Sequence, residues 1–270
     1  MSPPSGYALV TGASSGIGLE VARELARRRY PLVLVARRVD RLEALRVELA
    51  NMVDVVVIAA DLATAAGAQA LYDDVRARGL RVDILVNNAG AGMQGRFLQM
   101  DLAAVTAMFQ LNVLSLMTLT QRFGADMVAR GGGHVLQVAS AAAFLPSPHV
   151  SAYAASKAAV MSFSEALRFE LRGTGVSVTT LYPGITTTEF NEVAHARTPR
   201  LMDFSILSSA AVARVGVSAM FRGRRAVVPG WINRANAFLS QVLHRGLITF
   251  AAGWLLERAN RPPPTDVRRS

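Results

Sequence analysis

Thr11-Gly12-Ala13-Ser14-Ser15-Gly16-Ile17-Gly18 lies between a short apolar run and a segment with helical periodicity. Its three glycines have distinct roles in such a turn: the first permits a tight bend, the second lets backbone approach a pyrophosphate, and the third permits close helix packing. A helix that begins here offers free N–H groups and the positive end of its dipole to phosphates. The residues predicted to hold a dinucleotide here are Gly12, Ser14, Ser15, Gly16, Ile17 and Gly18.

The same residues also match the G-x-S-x-G pattern of a hydrolase nucleophile elbow, with Ser14 as the nucleophile. An elbow serine follows several strands of its sheet and needs an oxyanion loop upstream. Only thirteen residues precede Ser14, and none of them resembles such a loop. The hydrolase alternative is therefore disfavoured.

Short β-branched runs alternate with longer helical patterns along the chain. Most of these runs are continuously apolar, as strands are when helices cover both faces of a parallel sheet. The sequence predicts a Rossmann-type doubly wound α/β fold, with a parallel sheet of about seven strands and helices on both faces. The predicted strands are Tyr7 to Val10, Leu32 to Val35, Val55 to Ala59, Ile84 to Val86, Val135 to Val138, Val176 to Leu181 and an edge strand at Ala226 to Val228.

No linker or internal repeat divides the 270 residues. We predict a single domain for dinucleotide binding and catalysis over residues 1–230, and a helical extension over 231–270 with a loose end after about residue 261. The extension carries apolar residues at helical spacing, among them Trp231, Phe238 and Leu239. A membrane surface, the substrate cleft and another subunit remain open as partners of this stripe, and burial against protein is the favoured interpretation.

Composition excludes several classes of protein. Hydrophobic residues form 51% of the chain and charged residues 18%, which predicts a compact core. The chain contains no cysteine, and its four histidines are not spaced as metal ligands, so we predict neither a disulfide nor a metal site. The first residues lack the pattern of a secretory signal, and this favours a cytoplasmic protein, with membrane association left open.

The formal net charge of +10 is compatible with nucleic acid, an anionic membrane or a phosphorylated ligand as partner. Nearly all the cations are arginines, and no basic run is interleaved with aromatic residues as a base-stacking surface would be. We therefore predict no nucleic-acid partner.

The end of the second predicted strand indicates which dinucleotide is bound. An acidic side chain there would accept from the adenosine ribose and repel a 2′-phosphate, but Ala36 stands at that position. Arg37 follows with a guanidinium suited to a phosphate, and Arg38 comes next, although both could simply end a strand in an arginine-rich chain. The pattern favours NADP(H) over NAD(H). Asp61 and Leu62, past the third strand, are placed to meet the adenine edge, unless Asp61 only caps the next helix.

Candidate catalytic residues lie further along the chain. Asn112, Ser140, Tyr153 and Lys157 are the candidates, and the last two lie one helical turn apart on the same face. A free tyrosine has a pKa near ~10, and a nearby ammonium lowers it. Lys157 is also the only lysine of the chain. Taken alone, this tyrosine–lysine spacing would more often be a surface pair.

The combination of these motifs, in this order, resembles the short-chain dehydrogenase/reductase family over about residues 7–222. Simple redox chemistry is favoured because the serine, tyrosine and lysine are all present, while epimerisation or dehydration on the same scaffold remains an alternative. A non-catalytic NADP(H)-binding sensor or interaction protein is the alternative outside enzymes. The resemblance rests on Thr11-Gly12, Gly16-Ile17-Gly18, Asn87-Asn88-Ala89-Gly90, Asn112, Ser140, Tyr153 with Lys157, and Pro183-Gly184 with Thr188.

The resemblance implies a role for each catalytic candidate. Tyr153 is the general acid/base, Ser140 hydrogen-bonds the substrate oxygen, and Lys157 binds the nicotinamide ribose and lowers the pKa of Tyr153. Asn112 completes a proton relay through water, and the family often forms homodimers or homotetramers through the helices that hold Asn112 and Tyr153. The further cofactor contacts expected are Asn87, Ala89, Gly90, Pro183, Gly184, Ile185 and Thr188.

The substrate is expected to be a small molecule with a carbonyl or alcohol group. Residues 186–205 are the expected substrate loop, and their apolar side chains suggest an apolar wall, although the same side chains could equally pack against the domain. The members singled out are Phe190, His195, Pro199, Met202 and Phe204.

Overall fold

A parallel seven-stranded sheet forms the centre of the computed structural model, which describes residues 6–187, 206–242, 246, 249–250 and 253–254. The strands of this sheet are β1 (Tyr7–Thr11), β2 (Leu32–Ala36), β3 (Val55–Ala59), β4 (Val82–Asn87), β5 (Gly133–Val138), β6 (Val176–Leu181) and β9 (Ala226–Val227). Their order β3-β2-β1-β4-β5-β6-β9 confirms the predicted doubly wound fold and its edge strand. A separate parallel pair joins β7 (Thr186–Thr187) to β8 (Leu207–Ser208).

Helices cover both faces of this sheet. Along β1, Ala8 and Val10 pack in one apolar cluster and Leu9 packs in the other, so this strand is buried on both sides. The first cluster is completed by the helices of residues 16–27, 39–49 and 209–221, and the second by those of residues 67–77 and 116–129. The described helices are α1 (Gly16–Arg27), α2 (Val39–Leu49), α3 (Gly67–Ala77), α4 (Leu102–Phe109), α5 (Leu116–Ala129), α6 (Ser151–Glu170), α7 (Ser209–Phe221) and α8 (Trp231–Val242).

The strand order of the sheet reverses between β1 and β4, and this is where the candidate site lies. Crossovers from β1 lead outward to β2 and β3, whereas those from β4 lead the other way to β5 and β6, which leaves a crevice at the carboxyl ends of the two central strands. The glycine turn follows β1, and Asn88, Ala89 and Gly90 follow β4. Both motifs therefore open into the same crevice.

Helix α8 faces the opposite way from the sequence-based interpretation. The apolar stripe is not buried against the chain's own domain, because Trp231 is 74% exposed and Phe238 67% exposed. The buried face carries Asn233, Ala237 and Ser240 instead. Asn233 donates to the Pro229 carbonyl at 3.0 Å, and its amide fills the space that a side chain at position 184 would need. Small and polar side chains thus attach α8 to the domain.

One stretch of the described residues, Leu102–Ala129, has the length and hydropathy of a membrane-crossing helix. It is weak evidence for a membrane span, because Leu119, Phe123 and Met127 on this stretch are buried against the sheet. Among residues 6–187, 206–242 and the short described pieces after them, no cluster of three or more histidine, aspartate or glutamate side chains could hold a metal ion.

Candidate active site

A cleft of about 580 Å³ runs along the carboxyl ends of the strands, from the glycine turn to α6. It brings together most of the residues predicted from the sequence. Gly18, Asn87 and Asn112 do not line it, and Thr188 lies outside the described residues. The predicted residues that line the cleft are Gly12, Ser14, Ser15, Gly16, Ile17, Arg37, Arg38, Asp61, Leu62, Ala89, Gly90, Ser140, Tyr153, Lys157, Pro183, Gly184 and Ile185.

The glycine turn has the geometry of a phosphate cradle. Gly12 has φ 67° and Gly16 has φ 58°, values that side chains rarely tolerate, and α1 begins at Gly16 with its free N–H groups at the cleft. The Thr11 hydroxyl accepts from the N–H groups of Asn88 and Ala89, both at 3.0 Å. These bonds fix the turn after β1 to the loop after β4. With the two glycines and the free N–H groups of α1, the residues present fit the pyrophosphate of a dinucleotide.

Arg38 is the basic residue that reaches the glycine turn. Its guanidinium donates to the Ser15 hydroxyl at 2.8 Å and to the Ser14 hydroxyl at 3.1 Å. Arg37 lines the same end of the cleft, and Ala36 ends β2 where an acidic side chain would repel phosphate. The Ser14 and Ser15 hydroxyls and the Arg38 guanidinium thus lie together at this end of the cleft, an arrangement suited to a phosphate monoester.

Asp61 lines the cleft and does not cap the next helix, whose N-cap is Ala66. Its carboxylate accepts from the Ala63 N–H at 3.0 Å, and the Thr64 hydroxyl donates to the Asp61 carbonyl at 3.0 Å. The aspartate therefore holds the loop after β3. Leu62 beside it is buried and supplies an apolar surface to the cleft.

The structure corrects the assignment of Asn87 as a cofactor contact. Asn87 is buried, and its amide donates to the Thr120 hydroxyl at 2.9 Å and to the Gln137 side chain at 3.0 Å, which links β4 to α5 and β5 below the cleft. Asn88 lines the cleft instead, with its amide donating to the Thr11 carbonyl at 2.9 Å. The alternation of side chains along a strand could have predicted this position of Asn87. Leu85, two residues earlier on β4, packs on the same side of the sheet as α5.

Gly18 is likewise a packing residue and does not line the cleft. A side chain at this position would collide with the Gly12 carbonyl and the Asn88 amide. Gly18 therefore lets α1 approach the β1 and β4 loops closely, which is the packing role expected of the third glycine.

Asn112 lies in a π-helical segment, Gln110–Ser115, between α4 and α5. Its side chain accepts from the Ala91 N–H at 2.9 Å and donates to the Ala91 carbonyl at 2.9 Å. It also donates to the hydroxyl of Ser156 at 3.0 Å, and that hydroxyl donates to the Tyr153 carbonyl at 2.7 Å. The sequence-based reasoning missed Ser156. Asn112 thus ties the loop after β4 to the helix that carries the tyrosine.

Tyr153, Ser140 and Lys157 meet at the inner end of the cleft. Ser140 follows β5, and its hydroxyl accepts from the Ala142 N–H at 3.1 Å and hydrogen-bonds the Tyr153 phenol. Lys157 is buried, with its ammonium donating to the Val138 carbonyl at 3.0 Å and lying 6.0 Å from the centre of the Tyr153 ring. The loop after β5 and helix α6 therefore supply the serine, tyrosine and lysine that the sequence predicted as catalytic residues.

Burial governs the ionisation of these groups. It lowers the pKa of Lys157 to about 8, because a charged ammonium loses its hydration there. It also raises the pKa of Tyr153 above its ordinary value, and the hydrogen bond from Ser140 opposes this shift without cancelling it. The expectation that Lys157 leaves Tyr153 with a lowered pKa is wrong for this structure, since desolvation outweighs the other influences.

Apolar side chains also line the cleft. Met93, Val150 and Ile185 lie there, with Gln94 as a polar neighbour. The predicted substrate loop is described only at its first two residues, and Phe190, His195, Pro199, Met202 and Phe204 lie outside the described residues. No motif in the sequence pointed to Met93 or Gln94.

The fold and the site define an oxidoreductase that uses a nicotinamide cofactor, and comparisons with known proteins support this class. A sequence model of the short chain dehydrogenase family matches residues 6–199. The chain therefore belongs to the short-chain dehydrogenase/reductase family.

Relatives and solved structures agree with this assignment. The chain is 39% identical over 186 residues to a sulfoacetaldehyde reductase of Chromohalobacter salexigens, covering 68% of this chain and 74% of the relative. It is 35% identical over 241 residues to an 11-beta-hydroxysteroid dehydrogenase of Pinus massoniana, covering 83% and 67%.

Two solved relatives differ in the dinucleotide that they hold. A short-chain dehydrogenase from Sphingobium yanoikuyae in complex with NADPH is 28% identical with a TM-score of 0.77, covering 98% of this chain and 100% of its own. A family member from Burkholderia phymatum in complex with NAD is 26% identical with a TM-score of 0.76, covering 88% and 94%.

Proposed function

We propose that this protein is an NADP(H)-dependent oxidoreductase that interconverts a carbonyl and an alcohol on an apolar small molecule. The preference for NADP(H) rests on Arg38, which follows β2. Its guanidinium contacts the Ser14 and Ser15 hydroxyls in the glycine turn after β1. A 2′-phosphate placed there would accept from all three groups and meet no carboxylate at Ala36.

Tyr153 is the group that we assign to proton transfer. Bound NADPH supplies the hydride for reduction. The raised pKa of Tyr153 keeps its phenol protonated at neutral pH, so its oxygen holds a proton ready for a substrate oxygen. Ser140 hydrogen-bonds that phenol, and we assign its single O–H to rotate toward the substrate oxygen, where negative charge develops in reduction. The protonated phenol is the form that the reductive step requires.

Lys157 and the cleft wall supply orientation. The Lys157 ammonium uses one of its three donors on the Val138 carbonyl, which leaves donors for the cofactor ribose. The wall of Met93, Val150 and Ile185 excludes water from the reacting groups and favours an apolar substrate. Gln94 is the polar side chain at this end that we assign to substrate orientation.

We further propose a homodimer or homotetramer. Leu114, 52% exposed beside α5, and Phe169, 63% exposed on α6, are large apolar side chains on the elements that carry Asn112 and Tyr153. Burying them between copies would remove apolar area from water. Sedimentation velocity on the full chain tests this, since a monomer at micromolar concentration contradicts it.

Cofactor titration followed by turnover tests the proposed activity. NADPH and NADH are titrated separately against the full chain by fluorescence, and we expect NADPH to bind at least about tenfold more tightly, as for an added charge-assisted contact. Oxidation of NADPH is then followed with a panel of apolar ketones and aldehydes. Equal affinity for the two dinucleotides would contradict the cofactor preference. Binding without turnover on a broad panel would support a sensor instead.

A further inference from the structure

The C-terminal helical region exposes aromatic side chains where a globular protein ordinarily buries them. Trp231, Phe238 and Leu239 recur at the spacing of one helix face, and this face of α8 is turned to solvent. The opposite face is already used for attachment to the domain through Asn233, Ala237 and Ser240. The polarity of α8 is therefore reversed relative to a helix that packs its apolar face on its own core.

The exposed aromatic character continues beyond α8. Phe250 is 76% exposed and Trp254 is 51% exposed, four residues apart on helical backbone. Gly253 between them faces Pro148, since a side chain at 253 would come within 3.2 Å of the Pro148 ring. The backbone at Gly253 therefore lies close to Pro148, while the Phe250 side chain is exposed. We call the exposed side chains Trp231, Phe238, Leu239, Phe250 and Trp254 the tail face.

The charge of the same region is strongly positive. Its acidic residues are only Glu257 and Asp266, within a chain whose net charge is already +10. Arg234 lies one turn from Trp231 and is exposed beside the tail face. The arginines of residues 231–270 are Arg234, Arg245, Arg258, Arg261, Arg268 and Arg269.

We propose that the tail face docks the enzyme on an anionic lipid surface. Tryptophan and phenylalanine enter the boundary between headgroups and acyl chains, and Arg234 beside the tail face meets the negative headgroups. Apolar burial and charge attraction then act together, which is the combination that holds an amphipathic helix in the plane of a membrane. The chemistry recognised is an anionic phospholipid headgroup above an acyl layer.

Two other occupants fit the tail face less well. A second copy of this chain would bring two arginine-rich tails together, and like charges across an interface oppose association. The chain's own cleft does not receive the face, because the side of α8 that meets Gly184 is the one with Asn233. A negatively charged apolar surface satisfies both the charge and the aromatic side chains.

Intrinsic fluorescence gives a direct test, because Trp231 and Trp254 are the only two tryptophans of the chain. The full chain is mixed with phosphatidylcholine vesicles that contain about 30% phosphatidylglycerol, and separately with pure phosphatidylcholine vesicles. We expect a blue shift of the emission and co-sedimentation with the anionic vesicles, both weakened by high salt. No binding to either vesicle would overturn the proposal. The readout needs no turnover, so it is independent of the proposed catalytic function.

A matched pair of variants locates the contact. Phe238→Ser with Leu239→Ser removes apolar side chains from the tail face and keeps both tryptophans, and we expect at least about tenfold weaker partitioning into anionic vesicles. Val47→Ser changes a side chain that is 68% exposed on α2, and we expect wild-type binding. Equal binding by the double variant would overturn the proposal. The proposal would also be overturned if, without lipid, the wild type and Val47→Ser were dimers and the double variant was a monomer, because a second copy would then cover the tail face.

Discussion

The two ends of the cleft differ in how they use charge. At the cofactor end, Arg37 and Arg38 are exposed, and the Arg38 guanidinium acts by direct hydrogen bonds at 2.8 and 3.1 Å. At the chemical end, Lys157 is only 4% exposed, and its ammonium lies 6.0 Å from the centre of the Tyr153 ring. The cofactor end is thus open to water, whereas burial at the chemical end shifts the pKa of Tyr153 and that of Lys157.

This difference separates binding from chemistry. Removing a cation from the open end should change which dinucleotide binds and leave the reacting groups untouched. Changes at the buried end should alter turnover, ionisation or the free energy of unfolding. Each variant below tests that separation, beginning with the largest expected effect.

Replacement of Tyr153 by phenylalanine removes the phenol at the buried end. We expect turnover of NADPH with any active ketone to fall by ~10³-fold, within the range for loss of a positioned general acid. NADPH affinity should change little. Steady-state kinetics and fluorescence titration measure the two effects separately.

Tyr72→Phe is the matched control for this variant. The Tyr72 hydroxyl contacts Asp126 at 3.2 Å, between α3 and α5, and the residue does not line the cleft. Its activity should remain close to that of the wild type. A Tyr153→Phe enzyme that retains more than about a tenth of the activity would show that another group supplies the proton.

Replacement of Arg38 by alanine tests the open end. We expect NADPH to bind about 10–100-fold more weakly, because a charge-assisted contact with a phosphate is lost, while NADH affinity stays nearly constant. Arg46→Ala removes an exposed arginine on α2 that pairs with Glu43, and it should leave both affinities unchanged. Parallel losses for NADPH and NADH would mean that Arg38 supports the turn and does not select the phosphate.

The buried ammonium of Lys157 predicts a pH dependence of unfolding. Its pKa is about 8 in the folded protein and near 10.5 when exposed, so the unfolded chain binds the extra proton between these values. The free energy of unfolding should therefore rise with pH in this window, by about 2 kcal/mol from pH 8 to 9.5. Urea unfolding of the wild type and of Lys157→Met measures the difference between them. A constant difference across this range would show that the ammonium is well hydrated.

The open end was largely predictable because its motifs are local. Gly12 and Gly16 each adopt the backbone conformation that the spacing of the turn suggested. The phosphate contact was expected first of Arg37, which directly follows the strand end, whereas the guanidinium of the next residue, Arg38, is the one that reaches the turn. The α/β alternation and the edge strand were predictable for a similar reason, since period and apolar character are properties of short segments.

Features that depend on distant neighbours were harder to predict. The sequence placed Asn87 in the cleft, but Thr120 and Gln137 turn its side chain below the sheet. The pKa of Tyr153 depends on how deeply tertiary packing buries it, and spacing from Lys157 does not report this. The face that α8 turns inward likewise depends on the partner that it meets, because an apolar stripe is compatible with protein or lipid.

The smallest predicted effect concerns Ser156, a positioning residue behind the buried end. Ser156 and Ser164 are both buried on α6, and each hydroxyl donates to a carbonyl of its own helix at 2.7 Å. Only Ser156 also accepts from Asn112. Ser156→Ala should lower the free energy of unfolding by about 1 kcal/mol and reduce kcat several-fold, because Asn112 loses a partner and α6 loses its link to the loop after β4. Ser164→Ala should cost less in stability and leave kcat unchanged.

Urea unfolding and steady-state kinetics on both serine variants decide whether that link matters to catalysis. A loss of kcat in Ser156→Ala with an unchanged KM would mean that the link sets the position of Tyr153 during proton transfer. Equal kcat values in the two variants would reduce Ser156 to a packing role. The buried end would then depend on Ser140 and Lys157 for the orientation of its phenol, and the separation between the two ends of the cleft would be sharper.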